Sequence, residues 1–580
     1  MQRLVLLLLV LACLTFGAGL GAPEIADADE AFYAEAAREM VERGDWLTPH
    51  YNYEFRWQKP VLYYWLTAAT FLVTGVSEWG ARFWSSAAGV GLVLLTFAAG
   101  RVAGGTGGRA TAGRTAAAGT AGTVHGVAFL GAAIAATCFG YVNLGRSALP
   151  DLPLAFCTTL TIWAVFRAAS PEGMASPRSL AWWALAGLGA GLGFLVKGPL
   201  ALVVPALVLV PVWWRERPAM ADLARGAAVA GAVFAVVGLP WYVAMTLEHG
   251  AAYVESFFIG DNLERFATDR FNAPRPVWFY LPVLAGGLMP WSAFLVALPW
   301  RRLAIRWRHA LDPGTWRLWC WAMAPLLFFT VSIGKQPRYV LPILPPLAIL
   351  LAHAIAARME EAQGLEGRPA SRRLAVAVWL VAALSAALAV VLVRLPDAAS
   401  AGRIVAIVLL AVAAGGLIRL AIRQAWRELP VTVALASAAL VLAAQLGLLT
   451  GARPSAVEEM ATLVEAHRTG GEAVGQYQVF VRNLVFYTGR RHEDLFDEQR
   501  AIDFVRRPER VLLVVRARDR AVLERASGVP LHPLASVGYF NRAALRVGAI
   551  LQPDLSRDVE TVLLVTNVPA GSAPERSFPD

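Results

Sequence analysis

The chain has 580 residues, of which 57% are hydrophobic and 16% are charged. A mean hydropathy of +0.52 and repeated apolar runs of about 18 to 20 residues exclude an ordinary soluble domain and indicate a polytopic membrane protein. The net charge of +10 does not indicate nucleic-acid binding, because the basic residues form short clusters between apolar runs, as in cytoplasmic loops. The four cysteines lack CxxC spacing and the histidines form no metal motif, so neither a disulfide framework nor a zinc site is predicted.

The first apolar run follows Arg3 and ends in small residues. A cleaved signal peptide has this pattern, but the run is long for one, which favours an uncleaved anchor. With the N-terminus inside, Arg residues fall in every second loop, as the positive-inside rule expects. About thirteen spans are predicted, near residues 3–21, 80–100, 124–142, 152–169, 180–196, 199–214, 226–246, 277–299, 316–333, 339–356, 374–393, 401–418 and 430–450.

One apolar run, at residues 60–75, does not fit this alternation. If it crossed the membrane, every later basic loop would move to the outside; it is also shorter than about 20 residues and rich in Tyr and Trp. We therefore expect a helix lying in the membrane interface, and a first outer loop at residues 22–79. The low-complexity stretch at 103–123 predicts a flexible cytoplasmic linker.

The hydrophobicity of the chain falls after residue 450. Strand-like runs at 511–517 and 562–567 alternate there with polar helical stretches. The predicted fold class is an α-helical polytopic membrane protein with a transmembrane domain at 1–450 and a small α/β domain at 451–580 on the outer face. No internal repeat is visible, which disfavours a transporter built from inverted repeats.

Only three of the 52 basic residues are lysines, namely Lys59, Lys197 and Lys335. All three fall on the outer side at membrane ends, and each is closely followed by proline, in QKP, KGP and GKQPRY. Proline interrupts helices, so these lysines are expected at helix breaks, where backbone N–H groups attract anions. They could simply snorkel to the lipid headgroups. Their shared context instead favours binding of a lipid phosphate or diphosphate.

Carboxylates lie at the predicted outer ends of two membrane spans. Asp27, Asp29 and Glu30 come directly after the first span, and Asp151 stands in LPDLP at the outer end of the third. Helix capping is one interpretation of both positions: Asp27 and Glu30 have the spacing of a capping box, and Asp151 precedes an apolar run that could start a helix. Two carboxylates near lysine-bearing breaks are also what a base-catalysed transfer to an acceptor would use.

The outer loop at 248–282 mixes aromatic residues with charged ones. It contains Asp261, Glu264, Arg265, Asp269 and Arg270. A solvated interfacial loop has such a composition, and so does the wall of a carbohydrate site. Both interpretations stay open at this point.

Three blocks of sequence resemble the lipid A aminoarabinose transferase family, which is related to protein O-mannosyltransferases within the GT-C glycosyltransferases. They are DADEAFYAEAAREMVERGDWLTPHYNYEFRWQKPVLYYW in the first outer loop, GDNLERF followed by PVWFYLPVLAGGLMPW, and GKQPRYVLPILPPLA. The similarity is clear over about residues 20–350 and extends beyond them only in general plan. The combination is specific for the superfamily and not for the sugar.

The resemblance implies a GT-C fold, inverting transfer from a polyprenyl-phosphate sugar, and an active site facing the periplasm of a bacterial inner membrane. Asp29 and Glu30 match the acidic pair of the first loop, with Asp29 as catalytic carboxylate, and Asp151 matches the second acidic position. The candidates implied or added for binding the carrier phosphate or substrate are Tyr33, Lys59, Lys197, Glu264, Arg265, Lys335, Arg338 and Tyr339.

The chain departs from the family pattern at two positions. Phe32 stands where a basic residue is usual, and Gln58 stands where Glu is usual. The first removes one phosphate contact, and the second weakens any divalent metal site built on that Glu, so no cofactor is assigned and a metal stays open.

The sequence thus predicts a monomeric membrane glycosyltransferase with a lipid-linked sugar donor and a lipid or protein acceptor. A protein O-glycosyltransferase and a non-catalytic transporter or flippase of the same lipid-linked sugar are the alternatives, because a transporter needs the phosphate contacts but no base.

Overall fold

The computed structural model describes residues 1–26, 29–111, 120–169, 178–268, 274–298, 312–364, 367–394, 401–449, 454–539 and 559–569. Within these ranges the chain is mostly helical. A helix or a bent helix pair occupies each stretch in which the sequence predicts a span. The predicted fold class, a helical membrane protein with a small C-terminal α/β part, is confirmed, while the domain bounds and the position on the outer face stay predictions.

The helices of the membrane part are long and joined by short connections. In chain order they are α1 (Gln2–Gly17), α2 (Asp29–Arg43), α3 (Leu62–Thr74), α4 (Glu78–Thr111), α5 (Thr120–Thr137), α6 (Phe139–Gly145), α7 (Asp151–Ala168), α8 (Ser179–Lys197), α9 (Leu200–Glu216), α10 (Met220–Gly238), α11 (Pro240–Val254), α12 (Tyr280–Gly287), α13 (Pro313–Val331), α14 (Leu344–Gln363), α15 (Arg368–Arg394), α16 (Ala401–Arg423) and α17 (Leu429–Ala443). A π-helical segment, Glu255–Glu264, follows α11, and 3-10 turns at Val277–Phe279, Trp291–Ala297, Pro337–Ile343 and Trp426–Glu428 flank other helices.

Seven helices among the described residues are long and apolar enough to cross a membrane, and two bent pairs raise that number to nine. The bent pairs are His125–Thr137 with Phe139–Gly145, and Val277–Gly287 with Trp291–Ala297, which turn by 52° and 106°. Helices such as α1 are shorter than the bilayer requires of a straight span. The chain is a multi-pass membrane protein, and the count of thirteen stays a prediction.

The predicted linker at 103–123 is wrong at both of its ends. Helix α4 continues to Thr111 and α5 begins at Thr120, while 112–119 lie outside the described residues. Four of the nine residues at 103–111 are glycine, a poor helix former, so helix propensity does not explain this extension of α4.

The first outer loop folds into two helices and a hairpin. Helix α2 packs on α3 through Tyr33, Tyr63 and Tyr64, all of which are buried. Strands β1 (His50–Tyr51) and β2 (Glu54–Phe55) pair antiparallel. The two turn residues, Asn52 and Tyr53, both have positive φ, as a two-residue hairpin turn requires. The helix predicted at 60–75 is therefore present as α3; its position in the membrane interface stays a prediction.

The C-terminal part is a five-stranded sheet flanked by helices. Its strands are β3 (Val474–Tyr477), β4 (Glu493–Leu495), β5 (Leu512–Arg516), β6 (His532–Tyr539) and β7 (Glu560–Thr566), and its helices are α18 (Ala456–His467), α19 (Leu484–Thr488), α20 (Glu498–Val505) and α21 (Ala517–Ser527). The strand order is β4-β3-β5-β7-β6, with β3, β4 and β5 parallel and β7 antiparallel to both neighbours. The strands predicted at 511–517 and 562–567 are β5 and β7.

This sheet domain is docked on the first outer loop by polar contacts. Asn52 exchanges two hydrogen bonds with the backbone of His492, and the Tyr53 hydroxyl donates to the carbonyl of Gly489. Phe486 adds an apolar contact by joining the core beneath α2 and α3. The strained hairpin turn is thus held by the C-terminal domain.

Candidate functional site

The three lysines lie at helix breaks, as predicted. Helix α8 ends at Lys197, Gly198 reverses the chain with φ +71°, and Pro199 precedes α9. A Cβ on Gly198 would lie 2.7 Å from Phe257, so only glycine fits this turn. Lys59 precedes α3, and Lys335 precedes the 3-10 turn at Pro337–Ile343. The Lys-Gly-Pro order therefore places one ammonium group at the end of an apolar helix.

Asp151 lies at the centre of the site. It opens α7, its side chain is 3% exposed, and its Oδ1 accepts a hydrogen bond from Lys197 Nζ at 2.5 Å. Arg338 Nε lies 3.7 Å from the same oxygen, and Arg338 Nη1 lies 2.8 Å from Asp29 Oδ2. Asp29 is 55% exposed. The arrangement presents a solvent-facing carboxylate beside two cations, which suits an acceptor group and a phosphate.

A second group of charges surrounds Asp261. Its Oδ1 accepts from Arg265 Nη2 at 2.6 Å and lies 3.4 Å from Lys59 Nζ. Asp261 is buried and sits on the π-helical segment, a geometry frequent at functional sites. Burial lowers the pKa of Lys59 to about 7, although the Asp261 carboxylate acts in the opposite direction. Lys59 is therefore a cation whose charge varies near neutral pH.

Two tyrosines connect these groups. Lys197 Nζ lies 5.6 Å from the centre of the Tyr339 ring, a cation–π distance, and Tyr339 also interacts with Arg265. Tyr33 is buried against Tyr64, and burial raises its pKa well above the ordinary value, so its phenol stays protonated. We call Asp29, Asp151, Asp261, Lys59, Lys197, Arg265 and Arg338 the outer charge cluster. It holds four cations and three carboxylates.

Glu30 has a different environment from Asp29. It is buried, both of its oxygens accept from Arg82 at 2.7 and 2.8 Å, and the backbone N–H groups of Ala26 and Ala148 also donate to it. Burial would raise the pKa of Glu30, but Arg82 and these donors hold it below its ordinary value. Glu30 thus fixes the start of α2 against the segment leading to Asp151. The partner expected for its capping box, Asp27, lies outside the described residues.

Two of the predicted binding residues, Lys335 and Glu264, do not belong to the outer charge cluster. Lys335 is buried, and its ammonium donates to the carbonyls of Ser332 and Arg275 at 2.6 and 3.1 Å. Glu264 is half-buried, three residues after Asp261 on the π-helical segment. Direct contact of either residue with a substrate stays a prediction. Asp269 and Arg270 lie outside the described residues.

The donor set of the cluster does not fit a divalent metal. In the described part of the chain, no three His, Cys, Asp or Glu side chains come together as a metal-binding group. Each carboxylate of the cluster faces a lysine or arginine instead. A metal ion would have to displace these cations, so we derive no step through one.

Sequence reasoning named Asp261 only as part of a possible substrate wall, and it did not select Arg56 or Arg482. Arg56 Nε donates to the Tyr64 hydroxyl at 3.0 Å, and its guanidinium lies 4.1 Å from the centre of the Phe32 ring. Arg482 of the C-terminal domain lies 5.0 Å from the same ring. Positive charge is therefore present beside position 32 although its own side chain is apolar. The lysines were selected because they fall on the predicted outer side of the membrane, and the same criterion applied to arginine would have selected Arg56. No feature of the sequence singles out Arg482.

Comparisons with known proteins show what the chain is similar to. Two models described as dolichyl-phosphate-mannose-protein mannosyltransferase match residues 3–108 and 120–243. An undecaprenyl phosphate-alpha-4-amino-4-deoxy-L-arabinose arabinosyl transferase of Pseudomonas fluorescens is 35% identical over 340 residues, and one of Pseudomonas aeruginosa PAO1 is 33% identical over 336 residues. Each match covers 58% or 57% of this chain and 56% of the relative, so the aligned stretch spans little more than half of the relatives' length.

Solved structures match over nearly the whole chain. ArnT from Cupriavidus metallidurans bound to undecaprenyl phosphate has a TM-score of 0.72 at 22% identity, covering 98% of this chain and 99% of ArnT. The oligosaccharyltransferase of Archaeoglobus fulgidus has a TM-score of 0.51 at 13% identity, covering 90% of this chain and 69% of that one. The resemblance seen in the sequence is confirmed: the chain has the GT-C fold of ArnT and is related in sequence to the aminoarabinose transferases.

Proposed function

We propose that the chain is an integral membrane glycosyltransferase that moves a sugar from undecaprenyl phosphate to a lipid A-like acceptor. The observation that carries this proposal is the half-exposed Asp29 carboxylate, held by Arg338 beside the buried Asp151–Lys197 pair. A sugar transferase needs such a carboxylate for the acceptor and cations for the phosphate. The names of the relatives support 4-amino-4-deoxy-L-arabinose as the first sugar to test.

In the proposed reaction, an oxygen of the acceptor attacks the anomeric carbon of the sugar from the side opposite the phosphate. The bond between that carbon and the phosphate oxygen breaks, which inverts the carbon and leaves the charge on undecaprenyl phosphate. Asp29 orients the acceptor and takes its proton where it has one. Lys197, Arg338 and Lys59 stabilise the charge of the leaving phosphate.

The buried carboxylates position these groups in the proposed mechanism. Asp151 holds Lys197 and approaches Arg338, so it places the cations and does not itself face the solvent. Glu30 is saturated by Arg82 and two backbone N–H groups, which suits a positioning role rather than proton transfer. Tyr339 contacts both Lys197 and Arg265, which suits a role in holding these cations. Asp29 is then the one catalytic carboxylate.

The proposal includes a location. We place the chain in a bacterial inner membrane with the charge cluster facing the periplasm, because arginine-rich loops fall on the opposite side. The carrier lipid would reach Lys197 and Arg338 from the bilayer, since both lie at ends of membrane helices. Membrane lipids and the two substrates are the expected partners, and the protein is expected to act as a monomer.

The test is a transfer reaction with the purified full-length chain. Undecaprenyl phosphate-linked aminoarabinose and lipid A are incubated with it in detergent, and the lipids are analysed by mass spectrometry. We expect the mass of the sugar on lipid A and free undecaprenyl phosphate in equal amounts. Sugar that remains wholly on its carrier would indicate the transporter alternative, and sugar transferred only to an added protein acceptor would indicate the O-glycosyltransferase alternative.

A further inference from the structure

Two arginines from different domains converge on Phe32. The guanidinium carbon of Arg56 lies 4.1 Å from the centre of the Phe32 ring, and that of Arg482 lies 5.0 Å from it. Guanidinium groups stack favourably on aromatic rings. Phe32 is neutral, so its ring adds no counter-ion to either guanidinium group, and Arg482 also lies 5.4 Å from the centre of the Phe496 ring. Two positively charged side chains thus meet at one aromatic ring.

Each of the two arginines is held in place by further contacts. Arg56 follows the hairpin of the first outer loop and is anchored by its bond to the Tyr64 hydroxyl. Arg482 lies between β3 and α19, and its carbonyl accepts a hydrogen bond from the Tyr51 hydroxyl at 3.2 Å. Tyr51 also contacts Phe32, with ring centres 4.6 Å apart. The two arginines are therefore held by the docked domains.

The stack is continuous with the outer charge cluster. Phe32 lies three residues after Asp29 on α2, which is about 4.5 Å along the helix axis. Arg56 also lies 5.8 Å from the Tyr33 ring and interacts electrostatically with Asp261. A molecule bound at Phe32 could therefore present a neighbouring group to Asp29.

The stack and the membrane-side cations face different environments. Lys197 ends an apolar membrane helix and Arg338 begins one, so they can meet the phosphate of a lipid carrier at the bilayer surface. Arg482 belongs to the sheet domain, which docks on the first outer loop and also contacts the start of α4, where the Tyr487 hydroxyl donates to Glu78. Phosphate and carboxylate groups are the natural ligands of paired guanidinium groups.

We propose that Arg56 and Arg482, stacked on Phe32, form a second anion subsite that binds a phosphate group of the acceptor glycolipid. The C-terminal domain thereby takes part in acceptor selection, with Arg482 as a specificity-determining residue. This inference rests on the proposed glycosyl transfer and adds a role for the sheet domain in it.

The test compares Arg482→Ala with a matched control in the same interface, Arg491→Ala. Arg491 pairs with Glu54 of the first outer loop at 2.8 Å and is 65% exposed, so its loss removes a contact between the domains in which Phe32 takes no part. The full-length variants are assayed for the KM of lipid A in the transfer reaction and for the Kd of undecaprenyl phosphate. Arg482→Lys and Phe32→Leu are measured alongside.

We expect Arg482→Ala to raise the acceptor KM about tenfold or more, the effect of losing a charge-assisted contact, with the Kd of undecaprenyl phosphate unchanged within about twofold. Arg482→Lys should recover part of the loss, and Phe32→Leu should raise the acceptor KM as well. Arg491→Ala should change neither constant.

Three results would overturn the inference. An unchanged acceptor KM in Arg482→Ala removes the subsite, an equal loss of undecaprenyl phosphate binding assigns Arg482 to the carrier, and an equal effect of Arg491→Ala makes the role one of domain docking. If the unmodified chain transfers no sugar while it binds undecaprenyl phosphate, the proposed function fails first.

Discussion

Arg338 Nη1 lies 2.8 Å from Asp29 Oδ2, and this ion pair joins the first outer loop to the start of a membrane helix more than 300 residues later in the chain. Asp29 is exposed enough to meet an acceptor, while Arg338 also approaches the buried Asp151. The proposed catalytic carboxylate and the proposed phosphate-binding cation therefore orient each other.

Replacing Arg338 with lysine should lower kcat by about tenfold or more. A lysine keeps the charge but cannot reach two carboxylates with a planar fork, so Asp29 loses its orientation. Steady-state kinetics with the aminoarabinose donor check this. The control is Arg317→Lys, since Arg317 makes a two-bond pair with Glu216, the last residue of α9, whereas Lys197 of the cluster precedes the first turn of that helix. Equal kcat values for the Arg338→Lys variant and the unmodified chain would remove Arg338 from the mechanism.

Glu30→Gln should destabilise the protein, and Asp29→Asn should not. Breaking a buried ion pair by removing one partner costs roughly 3–5 kcal/mol, because Arg82 is left buried without its counterion. Asp29 is half-exposed, and its pair with Arg338 is screened by solvent. Thermal unfolding followed by tryptophan fluorescence in detergent measures both. Similar melting temperatures for the two variants would contradict the positioning role of Glu30.

Binding of undecaprenyl phosphate should weaken as the pH rises above about 7. The Lys59 ammonium has its pKa lowered to about 7, so it is charged below that pH and increasingly neutral above it. The phosphate of the carrier has its second pKa at about 6, so it is mostly doubly ionised above pH 7, and the loss of the Lys59 charge should raise the Kd from pH 7 toward pH 9. Lys59→Arg keeps its charge throughout and should make the Kd independent of pH over this range. A wild-type Kd that stays constant from pH 6 to 9 would show that Lys59 does not meet the phosphate.

The stability of the first outer loop should also decrease with rising pH. Burial and the neighbouring Glu35 raise the pKa of Glu39 to about 8, well above its value in the unfolded chain. The folded state therefore holds an extra proton between about pH 4.5 and 8, and stability falls as pH rises through that window. Glu39→Gln should melt at a higher temperature than the unmodified protein at pH 8.5, with a smaller difference at pH 5. The exposed Glu42→Gln on the same helix is the control, and should show no such pH dependence.

Local patterns predicted much of this architecture. Proline after each lysine placed Lys59, Lys197 and Lys335 at helix breaks, and the strand-like runs gave β5 and β7. These features depend on a few neighbouring residues, so they can be read along the chain.

The pairings within the site depend on tertiary structure and could not be read in that way. Glu30 and Asp29 are adjacent and chemically alike, yet one is buried against Arg82 and the other faces solvent beside Arg338. Asp261 pairs with Lys59, which lies 202 residues away in the sequence. Arg482 reaches Phe32 only because the sheet domain docks on the hairpin. Distances of this kind are set by packing, which sequence patterns do not encode locally.

The most direct measurement of the central claim is the rate of sugar transfer by Asp29→Asn beside Glu42→Gln, with product on lipid A quantified by mass spectrometry. Both variants neutralise a carboxylate of α2, but only Asp29 belongs to the outer charge cluster, whereas Glu42 pairs with Arg38. We predict that Asp29→Asn loses about a hundredfold or more in kcat while it still binds undecaprenyl phosphate, and that Glu42→Gln transfers at the normal rate. Full transfer by folded Asp29→Asn protein would contradict the assignment of Asp29 as the catalytic carboxylate.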